Sequence, residues 1–284
     1  MSKCYRSELV GAFGDPIDEN PTGVMEEAAF AACGLDYRYL TVKVGKDDLE
    51  AAMNGVRAFN MKGINLTIPH KVKVLAYLDE LSEAASIIGA VNTVVNRDGK
   101  LWGENTDGKG FLISLRNENV PVEGKNIVIL GAGGAARAIA VECALAGGRK
   151  ITVVNRSRER GEELARLVRE KTKAEAEYVC WDHAYAVPAE TDILINATCI
   201  GLYPDVNSRP DIDYDTVKPS MAVSDVVFND PNTLFLREAA KRGAHTVNGL
   251  GMLVNQGALN FELWTGVPAP VDVMTGTLRK EFGL

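Results

Sequence analysis

One stretch constrains this chain more than any other: "NIVILGAGGAARA", residues 126–138. "NIVIL" is an apolar run of the kind found in parallel strands buried on both faces. Gly131, Gly133 and Ala136 follow at G-x-G-x-x-A spacing, and "AARAIAVECALAGG" continues as a small-residue helix ending at Gly147. Glycines are required there because the chain turns tightly and its backbone must approach a pyrophosphate, which the N–H groups and dipole of the helix N-terminus then hold. Such a unit needs a parallel sheet around it. "ITVVN", "TDILINAT" and "MAVSDVVF" supply further buried-strand candidates separated by helices or loops, which predicts a doubly wound Rossmann sheet from Pro121 onward.

The second strand of such a sheet reads the nucleotide. An NAD enzyme usually ends it with a carboxylate on the ribose 2′-hydroxyl. Here it ends "VVNRSRER", with no carboxylate before Glu159. Ser157 is a good N-cap for the helix "RERGEELARLVREK". Arg156, Arg158 and Arg160 therefore stand at the positive end of a helix dipole, costing about 0.3–1 kcal/mol per charge unless an anion sits among them. The 2′-phosphate of NADP is that anion, and an arginine stacked on adenine adds to it. The alternative is a solvated helix start balanced by Glu159, Glu162 and Glu163.

The first hundred residues alternate short strands with helical patterns. "ELVGAFG" reads as a strand, "GVMEEAAFAACGL" as a helix stopped by Gly34, "YRYLTVKV" as a strand and "DDLEAAMNGVRAFN" as an amphipathic helix. "GINLTI" is a strand broken by Pro69, and "VKVLAYLDELSEAASIIG" is expected to be helical. "AVNTVVNRDGKLWGEN" predicts a hairpin turning at Asp98-Gly99, so this half carries a mixed sheet. The tail "MLVNQGALNFELWTG" is again helical. The fold class expected is α/β: an N-terminal α/β domain with a mixed sheet, then a doubly wound dinucleotide-binding domain. At 284 residues the chain has room for both.

Composition excludes several partners. A net charge of −7 and a pI near 5.2 argue against nucleic acid or an anionic membrane, which need a positive face. No apolar run reaches 18 residues, and "MSKCYRSEL" lacks a signal-peptide core. The five scattered cysteines read as free thiols, and His70, His183 and His245 have no metal-ligand spacing. The expectation is a cytoplasmic, metal-free protein.

Two polar stretches end apolar strands, "NLTIPHK" (65–71) and "GENTDGKGF" (103–111). Lys71 is a candidate general acid or base and Asp107 a candidate partner, with Thr106 or Asp107 capping the following helix. By composition alone a surface lysine and a capping aspartate are commoner than a dyad, and spacing does not place the two together.

These stretches, with "AVNT" (90–93), "GAGGAARA", "NRSRER", "INATCIGL", "SDVVFNDP" and "GLGMLVNQGALNFELWTG", occur in the order and spacing of shikimate dehydrogenases, and the chain resembles that family over nearly its whole length. The resemblance implies a catalytic domain over residues 1–106, a Rossmann domain over 107–249, and helices of 250–284 returning to the first. It implies Lys71 and Asp107 as the proton-transfer pair and Asn92, Gln256, Thr67 and Phe228 as substrate contacts. Gly131, Ala132, Gly133, Gly134 and Ala135 form the phosphate turn, and Asn155, Arg156, Ser157 and Arg160 the 2′-phosphate grip. Thr198, Val226 and Gly249 lie on the cofactor side. The implied reaction is NADP-dependent hydride transfer, with NAD possible, on a small ring hydroxy acid such as shikimate, in a monomer or homodimer.

The pattern breaks in one place above all. The family's N-terminal loop reads G-x-P-[IV]-x-x-S-x-S-P, and its paired serines bind the substrate carboxylate. In "GDPIDENPTG" those serines fall on Asn20 and Thr22, with Gly23 in place of the proline and Asp18 and Glu19 just upstream. Phe228 stands where the family commonly has tyrosine, and Cys199 where serine is frequent. Either Asn20 and Thr22 do the serines' work on shikimate, or the substrate is a relative such as quinate or an amino-substituted analogue. A nucleotide-binding sensor without turnover is the third alternative, against which the intact Lys71 and Asp107 speak.

Overall fold

The computed structural model describes residues 5–284, which divide into two compact units. One comprises residues up to Thr106 together with Gln256–Leu284; the other is Asp107–Asn255.

The first unit opens with β1 (Glu8–Gly14), α1 (Thr22–Ala32), β2 (Tyr37–Lys43), α2 (Leu49–Ala58) and β3 (Gly63–Leu66). Gly34, at φ +65°, ends the α1 segment as its sequence suggests. Then come α3 (His70–Lys73), β4 (Glu80–Leu81), α4 (Glu83–Ile88), β5 (Thr93–Arg97) and β6 (Lys100–Glu104). The sheet order is β2-β1-β3-β5-β6-β4, parallel across β2, β1 and β3 and antiparallel from β3 through β6. The hairpin turns through Asp98 and Gly99, both at positive φ, the conformation a two-residue hairpin demands.

The expected single helix over 72–89 is absent. Leu78 is extended (φ −99°, ψ 146°), Glu80–Leu81 pairs parallel to β6, and Ser82 starts a new helix by accepting the Ala85 N–H. Leu75 and Leu78 pack against the core of the first unit while Leu81, on the edge strand, is exposed, because a sheet edge competes for residues that keep helical spacing.

The second unit runs through α5 (Thr106–Asn117), whose first residue belongs to the first unit, then β7 (Asn126–Leu130), α6 (Gly134–Leu145), β8 (Lys150–Asn155), α7 (Arg158–Lys171) and β9 (Glu175–Cys180). It continues with β10 (Tyr185–Ala186), β11 (Ile193–Asn196), β12 (Ile212–Asp213), β13 (Ala222–Asp225), α8 (Leu234–Ala240) and β14 (His245–Val247). Its main sheet is wholly parallel, in the order β14-β13-β11-β7-β8-β9, a doubly wound arrangement. The strand interiors are apolar on both faces: Ile127, Ile129, Ile151 and Val153 serve one core, and Val128, Leu130 and Val154 another.

Helix α9 (Gly249–Thr265) begins in the second unit and, from Gln256, packs in the first, followed by α10 (Val271–Glu281). Phe261 stacks on Phe30 (5.4 Å), and Trp264 donates its indole N–H to Val94 O (3.1 Å). Among the described residues no helix is long and apolar enough to cross a membrane, and no group of three His, Cys, Asp or Glu is placed to hold a metal ion. Cys33, Cys143, Cys180 and Cys199 are free thiols; Cys4 lies outside the described residues.

Candidate functional site

In the second unit the turn after β7 is shaped by its glycines. Gly131 has φ +109°, and a Cβ there would lie 2.9 Å from Thr198 Cγ2. A Cβ on Gly133 or Gly134 would meet nothing within 4 Å, so open space faces the start of α6. Gly133 is the N-cap, no side chain caps the helix, and its first turn holds no acid. Its N–H groups and dipole are available to a phosphate. Ala132 and Ala135 are half-buried in the same turn.

At the end of β8, the Asn155 side-chain amide donates to Ser157 O (2.8 Å), and Ser157 Oγ caps α7. Arg156, Arg158 and Arg160 are all exposed, but Arg158 is committed to Glu162 on its own helix (2.8 Å). Gly161 lets α7 close on Tyr178, whose hydroxyl donates to Asn155 O (3.1 Å). The rigid strand end thus presents Arg156 and Arg160 beside an uncapped glycine turn, a donor set that fits a nucleotide carrying a 2′-phosphate.

A buried carboxylate that the sequence does not advertise organises the adjacent strand ends. Asp225, at the end of β13, accepts from Asn196 Nδ2 (2.9 Å), the Val227 N–H (3.1 Å) and Thr233 Oγ1 (2.7 Å). Burial pushes its carboxyl up to about 6, against the pull of those three donors. Asn196 Oδ1 in turn accepts from Thr198 Oγ1 and the Thr198 N–H. Val226, Val227 and half-buried Phe228 continue from Asp225, and Gly249 meets them closely: its Cβ would sit 2.4 Å from Val227 O. One carboxylate therefore fixes the segments carrying Thr198, Val226 and Phe228.

In the first unit, the loop from Gly14 to the start of α1 lies against the turn after β3. The Asp15 N–H donates to Ile68 O (2.9 Å), and a Cβ on Gly14 would lie 2.2 Å from Thr67 Cγ2. The turn carrying Thr67 and Lys71 is anchored by His70, wholly buried with Nε2 bonded to Val44 O (2.8 Å), and by the Val91 N–H donating to Lys71 O (2.8 Å). At the head of α1 the Thr22 N–H donates to Asn20 Oδ1 (3.0 Å), and Thr22 is buried. Asp15 pairs with Lys43 (3.2 Å), while Asp18 and Glu19 are exposed.

Behind this loop lies a buried polar network. Tyr39 donates to Asn65 Oδ1 (2.9 Å), and Asn65 donates to Thr93 Oγ1 and Asn92 O (both 3.2 Å). Asn92 Oδ1 accepts the Thr106 N–H (2.8 Å), while Thr93 and Thr106 both donate to Asn260 Oδ1 (2.7 and 2.8 Å). Asn260 donates to Gln256 Oε1 (3.1 Å). The network ties Asn92 to Gln256, far apart in sequence, in a water-poor setting where polar groups must be paired. Thr93, Asn260 and Tyr39 were not singled out by sequence reasoning; the asparagine one turn beyond Gln256 was the available signal.

The first unit thus gathers Asn20, Thr22, Thr67, Lys71, Asn92 and Gln256, and the second gathers the nucleotide-side residues with Phe228. Asp107 lies in the first turn of α5, in the second unit, and Lys71 in the first.

Family models match three segments: a shikimate dehydrogenase substrate binding domain over residues 12–94, a shikimate / quinate 5-dehydrogenase over 114–203, and a shikimate 5'-dehydrogenase C-terminal domain over 249–279. The NADP(+) shikimate dehydrogenase of Desulforamulus reducens is 44% identical over 97% of this chain and 96% of its own. That of Symbiobacterium thermophilum is 46% identical over 94% and 92%. Among solved structures, a ligand-free 5-ketofructose reductase of Gluconobacter sp. strain CHM43 is 47% identical, with a TM-score of 0.94 over 98% of this chain and 100% of that one. With such identity sustained along almost its entire length, the chain belongs to the shikimate dehydrogenase family.

Proposed function

We propose that this protein is an NADPH-dependent reductase of an uncharged polyhydroxylated ketone, of the size and class of 5-ketofructose. The observation that carries the substrate reading is the Asn20–Thr22 contact. A serine hydroxyl can donate to a carboxylate, whereas Asn20 turns an acceptor oxygen onto the first N–H of α1. Asn20 Oδ1 is then committed to that N–H, only the neutral Nδ2 donors remain to a ligand, and the negative charges of Asp18 and Glu19 just upstream disfavour a carboxylate there. Losing one charge-assisted hydrogen bond costs about 1.5–3 kcal/mol, enough to move preference tenfold or more. The similarity to a reductase of an uncharged ketose supports the same reading.

The cofactor supplies the hydride; Arg156 and Arg160 hold its 2′-phosphate, and the Gly131–Ala135 turn with the α6 N-terminus holds its pyrophosphate. Lys71 donates a proton to the ketone oxygen as the carbonyl carbon is reduced. Proton donation by a placed group supplies roughly 10²–10⁴-fold in rate. Asn92 and Gln256, locked in the buried network, and Thr22 orient the substrate hydroxyls.

The second reading, 3-dehydroshikimate reduction, is favoured by the hydroxyl that Thr22 keeps at the second serine position and by the curated relatives. Following NADPH oxidation with 5-ketofructose and with 3-dehydroshikimate separates the two. Turnover of 3-dehydroshikimate alone would sink the primary reading.

A further inference from the structure

One buried acid lies near the head of α1. Glu26 is wholly buried, and among the described residues neither carboxyl oxygen has a hydrogen-bond partner. It lies four residues after Thr22, on the same face of α1, and helical side chains lean toward the preceding turn. Helical register therefore puts Glu26 on the Thr22 side of α1. Across from it, a Cβ on Gly257 would lie 3.3 Å from Glu26 Oε1, which places the carboxyl beside the turn that carries Gln256. Its charge also bears on buried Tyr39, the end of the polar network.

We propose that Glu26 is a positioning and specificity residue: neutral, it leaves the Thr22 hydroxyl to a bound substrate; ionised, it draws that hydroxyl, and the Tyr39 hydroxyl, to itself. This rests on reading the head of α1 as part of the substrate site. A buried carboxylate with no cation or N–H beside it must recruit the nearest O–H donors, so ionisation and substrate compete for one group. Burial raises the carboxyl well above its usual range, so the neutral form persists into milder pH.

Among the described residues the surroundings offer no counter-charge. The sheet contributes Tyr39, whose own ionisation is likewise suppressed, and Glu8 lies at the outer end of β1. On α1, Glu27 accepts the Tyr39 N–H. The facing part of α9 presents Gly257, Asn260 and Phe261, all uncharged, and α10 turns Met274 and Leu278 inward while Asp272, Arg279, Lys280 and Glu281 are exposed. Beyond Thr22 the loop adds only Asp18, Glu19 and the Asp15–Lys43 pair.

The test is the pH dependence of KM and kcat for 5-ketofructose, with saturating NADPH, in wild type, Glu26→Gln and Thr22→Ala. Wild-type KM should climb toward tenfold per pH unit once Glu26 ionises, because only the competent fraction binds. Glu26→Gln, neutral and of the same shape, should keep the low-pH KM throughout, with kcat–pH curves superimposing on those of wild type. A wild-type KM flat from pH 5.5 to 9, or parallel KM profiles in wild type and Glu26→Gln, overturns the proposal. If Thr22→Ala leaves KM unchanged, the reading of the α1 head fails and the proposal with it. If Thr22→Ala raises KM while Glu26→Gln follows wild type, only the role of Glu26 fails.

Discussion

Asn20 Oδ1 sits 3.0 Å from the Thr22 backbone nitrogen and takes the N–H at the head of α1. A neutral amide there in place of a hydroxyl changes what the loop can hold.

Reversing that exchange should reverse preference. Asn20→Ser with Thr22→Ser is expected to raise kcat/KM for 3-dehydroshikimate relative to 5-ketofructose by about tenfold to a hundredfold, the size of one charge-assisted hydrogen bond. Steady-state kinetics on both substrates checks this; an unchanged ratio would remove the loop from the specificity argument.

Lys71→Ala should lower kcat by roughly 10²–10⁴-fold. NADPH affinity, followed by nicotinamide fluorescence, should stay as in wild type, since Lys71 lies in the first unit and the nucleotide residues in the second. Undiminished turnover would remove Lys71 from the mechanism.

The three arginines after β8 should not behave alike. Arg156→Ala and Arg160→Ala are each expected to raise KM for NADPH about tenfold or more while leaving NADH unchanged. Arg158→Ala should change neither, because that side chain is already held by Glu162. Equal effects at all three positions would mean the preference is set by general charge instead.

Gly131→Ala and Gly249→Ala should both weaken the second unit. The first forces a side chain to φ +109° against Thr198, costing about 1–3 kcal/mol; the second drives a Cβ into the Val227 carbonyl at 2.4 Å. Lower Tm and weaker NADPH binding are expected together, and a Tm equal to wild type would contradict the close approach.

Asp225 makes stability depend on pH in a defined direction. Its folded-state pKa, about 6, lies above the usual 3.8, so the folded protein holds the proton longer than the unfolded chain. The stability this confers is complete below about pH 4 and is lost as pH rises to about 6. The difference in unfolding free energy between wild type and Asp225→Asn should shift against wild type by about 3 kcal/mol across that window. Denaturant titrations at pH 4 and pH 7 measure it; a constant difference would mean Asp225 is ionised throughout.

What the sequence made legible follows from how local each signal is. "NIVILGAGGAARA" announces its strand, turn and helix because adjacent residues carry every requirement, and Asp98-Gly99 announces the hairpin for the same reason. The stretch 72–89 misleads because its leucines keep helical spacing while a sheet edge supplied by β6, over twenty residues later in the chain, claims Glu80 and Leu81. Asp225 was hidden because its donors, at 196, 227 and 233, share no spacing rule. Glu26 was hidden in "MEEAAF", where nothing in the pattern tells a buried acid from its solvated neighbour.

The central claim is that the substrate carries no carboxylate. Its most direct test is a one-pot competition, with purified protein, NADPH, and equal concentrations of 5-ketofructose and 3-dehydroshikimate, reading the initial ratio of the two alcohol products. The expected result is an excess of the ketofructose product of about tenfold or more. Equal amounts, or an excess of shikimate, would contradict it.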